Sequence, residues 1–376
     1  MKLRISREIL LKQLNNVVGA IEKKNTKKIL ENIYLSMQQN TLQFIGTDLE
    51  IELSSETKIS CQQPGEITTT AWKVLQICKA LPLESMITLE TNEKRLYLKV
   101  ANSHSRFELT TLPANEYPLL DDINFSHQII IRESVLKNLL DMTAFSMANQ
   151  DVRYYLNGLL LEVQDRLIKV VTTDGHRLAT SEYQRDDDNV TDSVKSIIIP
   201  RKGVLELSRI LDSSSELPLT LFLSENHIRI QKEDIRFTSK LIDGKYPDYQ
   251  AAIPMSNNYQ IELDRILFRD TLARVAILSN EKFRGIRLRF STGLMKLHST
   301  NPEKETANEA IDIVYTGEAL EIGFNVSYLL DAVNHLDTET IILHLSNPDS
   351  SILITPAGEI NDNNIATNYV VMPIRL

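Results

Sequence analysis

Thr172-Thr173-Asp174-Gly175-His176-Arg177-Leu178 closes a run that begins at Asn157-Gly158-Leu159-Leu160, and the chain repeats this arrangement twice more. Asn32-Ile33-Tyr34-Leu35 leads to Gly46-Thr47-Asp48, and Gly285-Ile286-Arg287-Leu288 leads to Ser299-Thr300-Asn301. Thr47, Thr173 and Thr300 are spaced 126 and 127 residues apart, and Phe107…Tyr117-Pro118 returns as Phe237…Tyr246-Pro247. A chain of 376 residues with this period divides into three similar domains of ordinary size, each long enough to bury its own core. The period is far too long for a solenoid unit. The expected boundaries give domains 1–125, 126–253 and 254–376, with Asp121-Asp122 and Pro254…Asn257-Asn258 interrupting the pattern.

Within each repeat the periodicities alternate. Leu10, Leu14, Val17 and Val18 follow Ser6 at helical spacing, as do Leu136, Leu139, Leu140 and Thr143 and, less regularly, Leu267, Leu272, Val275 and Ala276. A second helix is expected in each repeat: Thr70 capping 71–81 before Pro82, a helix after Pro200 through Leu211, and Asn325 capping 326–336. Alternating segments such as Leu42-Gln43-Phe44-Ile45, Leu167–Val171 and Leu294–Leu297 read as strands. Two helices with several strands per repeat predict an α+β fold with antiparallel sheets.

The formal charge is −9, from 41 basic and 50 acidic residues. The six expected helical segments (6–19, 70–81, 132–148, 200–211, 264–278 and 325–336) hold 12 Lys/Arg and 7 Asp/Glu, a net of +5, which leaves −14 for the remainder. Lys23, Lys24, Lys27 and Lys28 follow the first helix. Such a distribution suits either a solvated helix surface or a face that attracts phosphate backbones without sequence preference. Two cysteines, Cys61 and Cys78, point to a reducing compartment with no disulfide framework and no zinc cluster. No signal-peptide core and no membrane-length apolar stretch occurs, so a cytoplasmic location is expected.

Motifs for catalysis are missing: no phosphate loop, no G-x-G-x-x-G, no H-E-x-x-H, no G-x-S-x-G, and no pair of His at metal-ligand spacing. A hydrolase reading would make Asp174 or His176 a general base, but the same position recurs as Asp48-Leu49 and Asn301-Pro302 without His. The segment is therefore a turn or a binding rim. No cofactor and no metal is expected. The terminal Tyr369-Val370-Val371-Met372-Pro373-Ile374-Arg375-Leu376 has no polar tail, and reads either as the last strand of a sheet or as an apolar wall offered to a partner.

These runs, together with Phe145-Ser146-Met147-Ala148, Gln150–Gly158, Pro200-Arg201-Lys202-Gly203-Val204, Ile277–Gly285 and Gly323–Tyr328, resemble the bacterial β sliding clamp family over the whole chain. The resemblance implies three clamp domains in a head-to-tail homodimeric ring, helices lining the hole and antiparallel sheets outside. It implies a non-enzymatic processivity subunit that encircles double-stranded DNA and docks the replicative polymerase, the clamp loader and repair proteins. By the same resemblance Lys24, Gln150, Tyr154, Tyr155, Arg201 and Lys202 touch DNA, although the two tyrosines also suit a core. Phe107 and Leu109 meet Ile277 and Leu278 across the dimer interface. The partner pocket takes a short peptide containing Gln and Leu or Phe. It comprises Leu156, Thr173, Gly175, His176, Arg177, Leu178, Pro247, Phe283, Asn325, Tyr328, Ser351, Val370, Met372, Pro373 and Arg375, with Leu376 as a further wall. The chain departs from the family at the pocket rim: Gln250-Ala251-Ala252 follows Tyr-Pro-Asp-Tyr where a basic residue is common, Asp349 replaces an apolar residue, and the 357–368 connection is long. The competing reading is a peptide-binding adaptor that does not encircle DNA.

Overall fold

The computed structural model describes residues 1–164, 166–185, 195–254, 258–358 and 364–375. Asn257, part of the 357–368 connection and Leu376 lie outside the described residues. One order of elements occurs three times: a strand, a helix, three strands, a fourth strand, a second helix and three closing strands, with Cys61–Gln63 as an extra short strand in the first repeat. The helices are α1 (Arg7–Val17), α2 (Ala71–Ala80), α3 (Glu133–Asp141), α4 (Arg201–Ile210), α5 (Arg265–Ala276) and α6 (Val326–Asn334). Each starts where a polar residue or proline precedes an apolar period. Ser6 Oγ accepts from Ile9 N at 3.3 Å, Asp264 Oδ1 from Leu267 N at 2.7 Å and Asn325 Oδ1 from Ser327 N at 2.9 Å, satisfying amides that a helix start leaves unpaired. Thr70 stands at the start of α2, but its hydroxyl makes no capping bond. The helix expected over 132–148 stops at Asp141, because Thr143 turns its hydroxyl back onto the Leu139 carbonyl (2.7 Å) and a 3₁₀ turn follows at Ala144–Ser146.

The chain forms two compact units. Unit 1 contains Met1–Ser134 and Leu205–Leu241. Its described residues form a 13-stranded antiparallel sheet, in the order His127–Arg132, Pro218–Leu223, His227–Lys232, Ile235–Lys240, Ile51–Lys58, Thr41–Thr47, Asn32–Gln38, Gly65–Thr70, Arg106–Leu112, Arg95–Val100, Met86–Asn92, Lys2–Ser6 and Cys61–Gln63. Helices α1 and α2 pack together and bury Leu10, Leu14, Val17, Val74, Leu75 and Cys78. Unit 2 contains Val135–Val204 and Ile242–Leu376. Its eight-stranded sheet runs Lys195–Pro200, Gly158–Gln164, Leu167–Thr173, Arg177–Gln184, Ile365–Val371, Ile352–Pro356, Thr340–Leu345 and Tyr259–Asp264. A four-stranded sheet runs Thr306–Asp312, Leu294–Thr300, Gly285–Ser291 and Leu320–Asn325. Helices α5 and α6 close one core over these strands, burying Phe268, Leu272, Leu329 and Val333 with Phe290 and Phe324. No helix among the described residues is long and apolar enough to cross a membrane.

Successive repeats join by strand pairing in one register. In unit 1, Leu53 faces Phe237. In unit 2, Ala179 faces Tyr369. Leu53 and Ala179 hold equivalent places, opposite Gly46 and Thr172 on their own hairpins. The third equivalent is Ala307, opposite Ser299. Its strand, Thr306–Asp312, is the outer strand of the four-stranded sheet, unpaired on its far side among the described residues. The first-repeat equivalent of Phe237 is Phe107, and beside it Arg106–Leu112 pairs with Gly65–Thr70 only at Thr111 and Leu112.

Each of the first two hairpins is locked in the same way. Thr47 Oγ1 donates to the Ile51 carbonyl (2.7 Å) and accepts from Leu49 N (3.1 Å), while Asp48 Oδ1 accepts from Glu50 N and Ile51 N. The buried Tyr117 hydroxyl accepts from Thr47 N at 3.2 Å and lies 3.1 Å from the Asn32 carbonyl. Tyr117→Phe leaves the Thr47 amide unpaired in the interior, so a loss of about 1–3 kcal/mol in unfolding free energy is expected. Urea titration of both proteins measures it, and equal midpoints would show that the hydroxyl contributes nothing.

Candidate functional site

The second hairpin repeats this lock with different decoration. Thr173 Oγ1 donates to the Arg177 carbonyl (2.6 Å) and accepts from Gly175 N (3.0 Å). Asp174 Oδ1 accepts from His176 N (2.9 Å) and Arg177 N (3.0 Å). Gly175 has φ +89°, a backbone conformation that favours glycine, and a Cβ there would meet the Arg153 guanidinium at 3.0 Å. The Asp174 carboxylate is thus committed to the turn and to Arg177 Nε (3.1 Å). Tyr246 accepts from Thr173 N at 3.1 Å, and burial pushes its phenol pKa well above the usual range.

Arg177 gathers the neighbourhood. Its guanidinium donates to Asp174, to Asp331 and to the Phe145 carbonyl (2.7 Å), and lies over the Tyr328 ring at 4.6 Å. The exposed His176 ring lies parallel to Tyr328 with centroids 6.4 Å apart. Alongside, the C-terminal segment is tied down by Met372 N to the His176 carbonyl (2.9 Å) and Ile374 N to the Gly323 carbonyl (2.8 Å). The terminus is a sheet strand over Ile365–Val371, and 372–375 continue beyond it. A cleft of about 620 Å³ opens here. Of the expected pocket residues, His176, Phe283, Asn325, Tyr328 and Arg375 line it.

Leu156, Leu178 and Val370 sit elsewhere in unit 2, in a buried cluster with Tyr246, Tyr249 and Leu353, against which Ala252 and Ile253 pack. Thr173, Gly175 and Arg177 form the hairpin rather than the wall of the cleft. Pro247, Met372 and Pro373 retain surface, with Pro247 and Met372 exposed. Ser351 reaches the Ala252 carbonyl at 3.5 Å. Gln250–Ala252 is a 3₁₀ turn, and Asp349 is exposed. The cleft also uses residues outside the pocket set that the resemblance implies, among them Asn280, Lys282, Arg287, His298 and Ile374. Of these, Arg287 and His298 stand opposite each other on one hairpin, a register that the sequence does not show.

The other expected sites lie as follows. Tyr154 is 57% exposed, which removes it from the core, whereas Tyr155 is partly buried against the Leu156 cluster. Gln150 holds φ +57°, beside an Asp151 whose carboxyl is pulled down to about 2, chiefly by hydrogen bonds from Arg153. Arg201 donates to the Met147 carbonyl (3.0 Å), Lys202 is half-buried, and Lys24 is exposed in unit 1. Ile277 is 76% exposed, Leu278 is half-buried, and Phe107 and Leu109 are half-buried on the strand with the open edge.

Three family models span this chain: the N-terminal domain of the DNA polymerase III beta subunit at residues 1–121, its central domain at 130–248 and its C-terminal domain at 250–375. The chain belongs to the bacterial β sliding clamp family. The beta sliding clamp of Pseudomonas putida is 44% identical and that of Escherichia coli 41%, each matched over all of both chains. The crystal structure of the DNA polymerase III subunit beta from Pseudomonas aeruginosa superimposes with a TM-score of 0.92 at 43% identity, again over both whole chains. Another structure of the Pseudomonas aeruginosa clamp, bound to griselimycin, gives 0.93. The chain is accordingly a clamp subunit of three α+β domains, non-catalytic and part of DNA replication.

In this clamp chain Arg177 joins the hairpin to α6 through Asp331, and a lysine offers neither the fork nor the flat face to replace it. Arg177→Lys is expected to lower unfolding free energy by roughly 1–3 kcal/mol. Calorimetry tests this, and an unchanged melting temperature would show that the guanidinium network is idle.

Proposed function

We propose that two copies of this chain close head to tail into a ring that encircles duplex DNA and carries the replicative polymerase and clamp loader in the cytoplasm. The observation that carries this reading is the pair of open strand edges. Within the chain, the strand type of Ile51–Lys58 and Arg177–Gln184 finds a partner of the type of Ile235–Lys240 and Ile365–Val371. One strand of each type remains, Thr306–Asp312 and Arg106–Leu112. An open edge is a template for pairing with another chain. Repeating the register sets Ala307 of one copy opposite Phe107 of the next, with Leu109, Ile277 and Leu278 as the apolar surface beside it. A heterologous contact that repeats closes a ring only when the rotation closes, and otherwise builds a filament.

Phe107→Cys/Ala307→Cys therefore supplies the test. Buried Cys78, whose thiol burial pushes up to about 12, stays unreactive, and Cys61→Ser removes the other background thiol. Opposed residues in a ladder are about 5 Å apart, within reach of a short bifunctional thiol reagent. A single covalent dimer is expected, with no product from either single variant. A ladder of higher oligomers, or monomers throughout, would defeat ring closure and favour the adaptor.

The DNA face in this reading comprises Lys24, Gln150, Tyr154, Tyr155, Arg201 and Lys202. Phosphate contacts position without specifying sequence and weaken with salt. A ring is held by topology, so such contacts suffice and leave it free to slide.

The partner pocket in this reading joins the cleft at His176 and Tyr328 to the apolar surface of Pro247, Met372 and Pro373. A peptide with Gln and Leu or Phe suits a site where apolar Phe283, Tyr328 and Ile374 stand beside hydrogen-bonding groups such as Asn280 and Asn325. Each apolar side chain it buries is worth roughly 1.5–3 kcal/mol. Deletion of residues 372–376 is expected to lower affinity for a Gln-Leu-x-Leu-Phe peptide at least about tenfold while leaving the dimer intact. Fluorescence anisotropy beside a sizing run measures both, and full affinity in the truncated dimer would remove the terminus from the pocket.

A further inference from the structure

The cleft does not end at its apolar lining. Strands Gly285–Ser291 and Leu294–Thr300 alternate buried and outward residues, which puts Arg287, Arg289, Lys296 and His298 on one outward face. The register sets Arg287 opposite His298 and Arg289 opposite Lys296. Two like charges directly opposed weaken a sheet. Neither Arg289 nor Lys296 has an ion pair or hydrogen bond within the described residues, and the one carboxylate set opposite Arg289, on its other side, is Glu321. Arg287 pairs with Glu321 at 3.8 Å, and the nearby Glu309 is held by Arg274 at 2.7 Å. A second depression of about 540 Å³ lies over this ladder. It shares Arg287 and His298 with the 620 Å³ cleft, so the two adjoin, the cleft carrying Phe283, Tyr328 and Ile374 and the second depression forming its cationic end with Arg289 and Lys296.

We propose that the cationic end receives acidic residues that flank the docking segment of a protein partner. This rests on the peptide reading of the adjoining cleft. The chemistry fits a carboxylate: the Arg289 guanidinium can bind one bidentately, and an acid seated between Arg289 and Lys296 relieves their repulsion. A nucleic-acid backbone fits less well, because Glu309 and Glu321 confine the cationic stretch to a few side chains, enough for one or two carboxylates but not for a continuous run of phosphates. The chain as a whole carries −9, so this local positive field would also steer an acidic segment toward the cleft.

The test compares three labelled peptides with one apolar core: neutral flanks, two glutamates before the core, and two glutamates after it. Parent protein is set against Arg289→Ser/Lys296→Ser and Arg289→Glu/Lys296→Glu. One acid-flanked peptide is expected to bind the parent about three- to tenfold more tightly than the neutral one at low salt, with the gain fading at high salt. Serine at both positions should remove the gain and the double glutamate should invert it, while the neutral peptide keeps its affinity for all three proteins. Thermal melts confirm folding, and a single Lys296→Glu, which sets a carboxylate opposite Arg289, gives a second variant with no added repulsion. Equal affinity of every peptide for the parent, or a gain that survives both double variants, overturns the proposal. So does a loss confined to oligonucleotide binding, which would mark a phosphate site. If even the neutral peptide fails to bind the parent while labelled acidic peptide still does, the apolar pocket is at fault rather than its cationic extension.

Discussion

Backbone N–H and C=O groups along a strand edge must be satisfied by another strand or by water. That requirement organises this chain more than any side-chain contact does. Each repeat could have ended its sheets at its own boundaries. Instead Ile51–Lys58 continues into Ile235–Lys240, and Arg177–Gln184 into Ile365–Val371, so sheets run through the places where a domain boundary would ordinarily fall. The compact units consequently cut the chain within the middle repeat, whose strands are shared between a 13-stranded and an eight-stranded sheet. Identical register at both junctions, with Phe237 opposite Leu53 and Tyr369 opposite Ala179, means that a small residue or leucine has an aromatic across from it each time. Aromatic cross-strand pairs are among the stronger sheet contacts.

The hairpin that repeats shows how one scaffold is specialised. Thr and Asp lock the first two turns by the same bonds, and a tyrosine hydroxyl secures each. The position after Asp holds φ +80° at Leu49 and +89° at Gly175. Leucine accepts that conformation at a cost, and glycine does so freely while admitting Arg153 to close range. In the third turn this position is Pro302, which has no amide to offer. The lock fails there, and Asn301 Oδ1 instead accepts from Glu305 N at 2.9 Å, across a longer loop. The three turns thus share an ancestry of geometry while only the second carries His176 and Arg177 beside an aromatic ring.

The periods of Leu10–Val17 and Leu42–Ile45 made the elements legible, because burial alone decides them. The hairpin was legible as a turn, since Thr-Asp-Gly encodes its bonds locally. The extent of the cleft was not. Asn280 and Lys282 follow a helix with no periodic signal, and Arg287 and His298 read as ordinary outward residues of a strand. Only the register that sets them side by side, next to Asn325 and Ile374, makes a wall of them. The end of α3 was misread for a related reason: the apolar period runs on to Phe145, but Thr143 competes for the helix carbonyls.

Burial also separates residues that the sequence grouped together. Leu156, Leu178 and Val370 are 1–3% exposed before anything docks, packed with Tyr246 and Tyr249. They have almost no surface left to bury, so their contribution to any ligand is the shape of the floor, and truncating them removes core packing first. Phe283 and Met372, at 61% and 37% exposed, keep surface that a ligand can still remove from water. The hydrophobic gain scales with newly buried area, so it must come chiefly from these exposed residues. In the proposed pocket, the residues that look most hydrophobic in the sequence therefore stabilise the fold, and the exposed ones hold the surface that a docked peptide would bury.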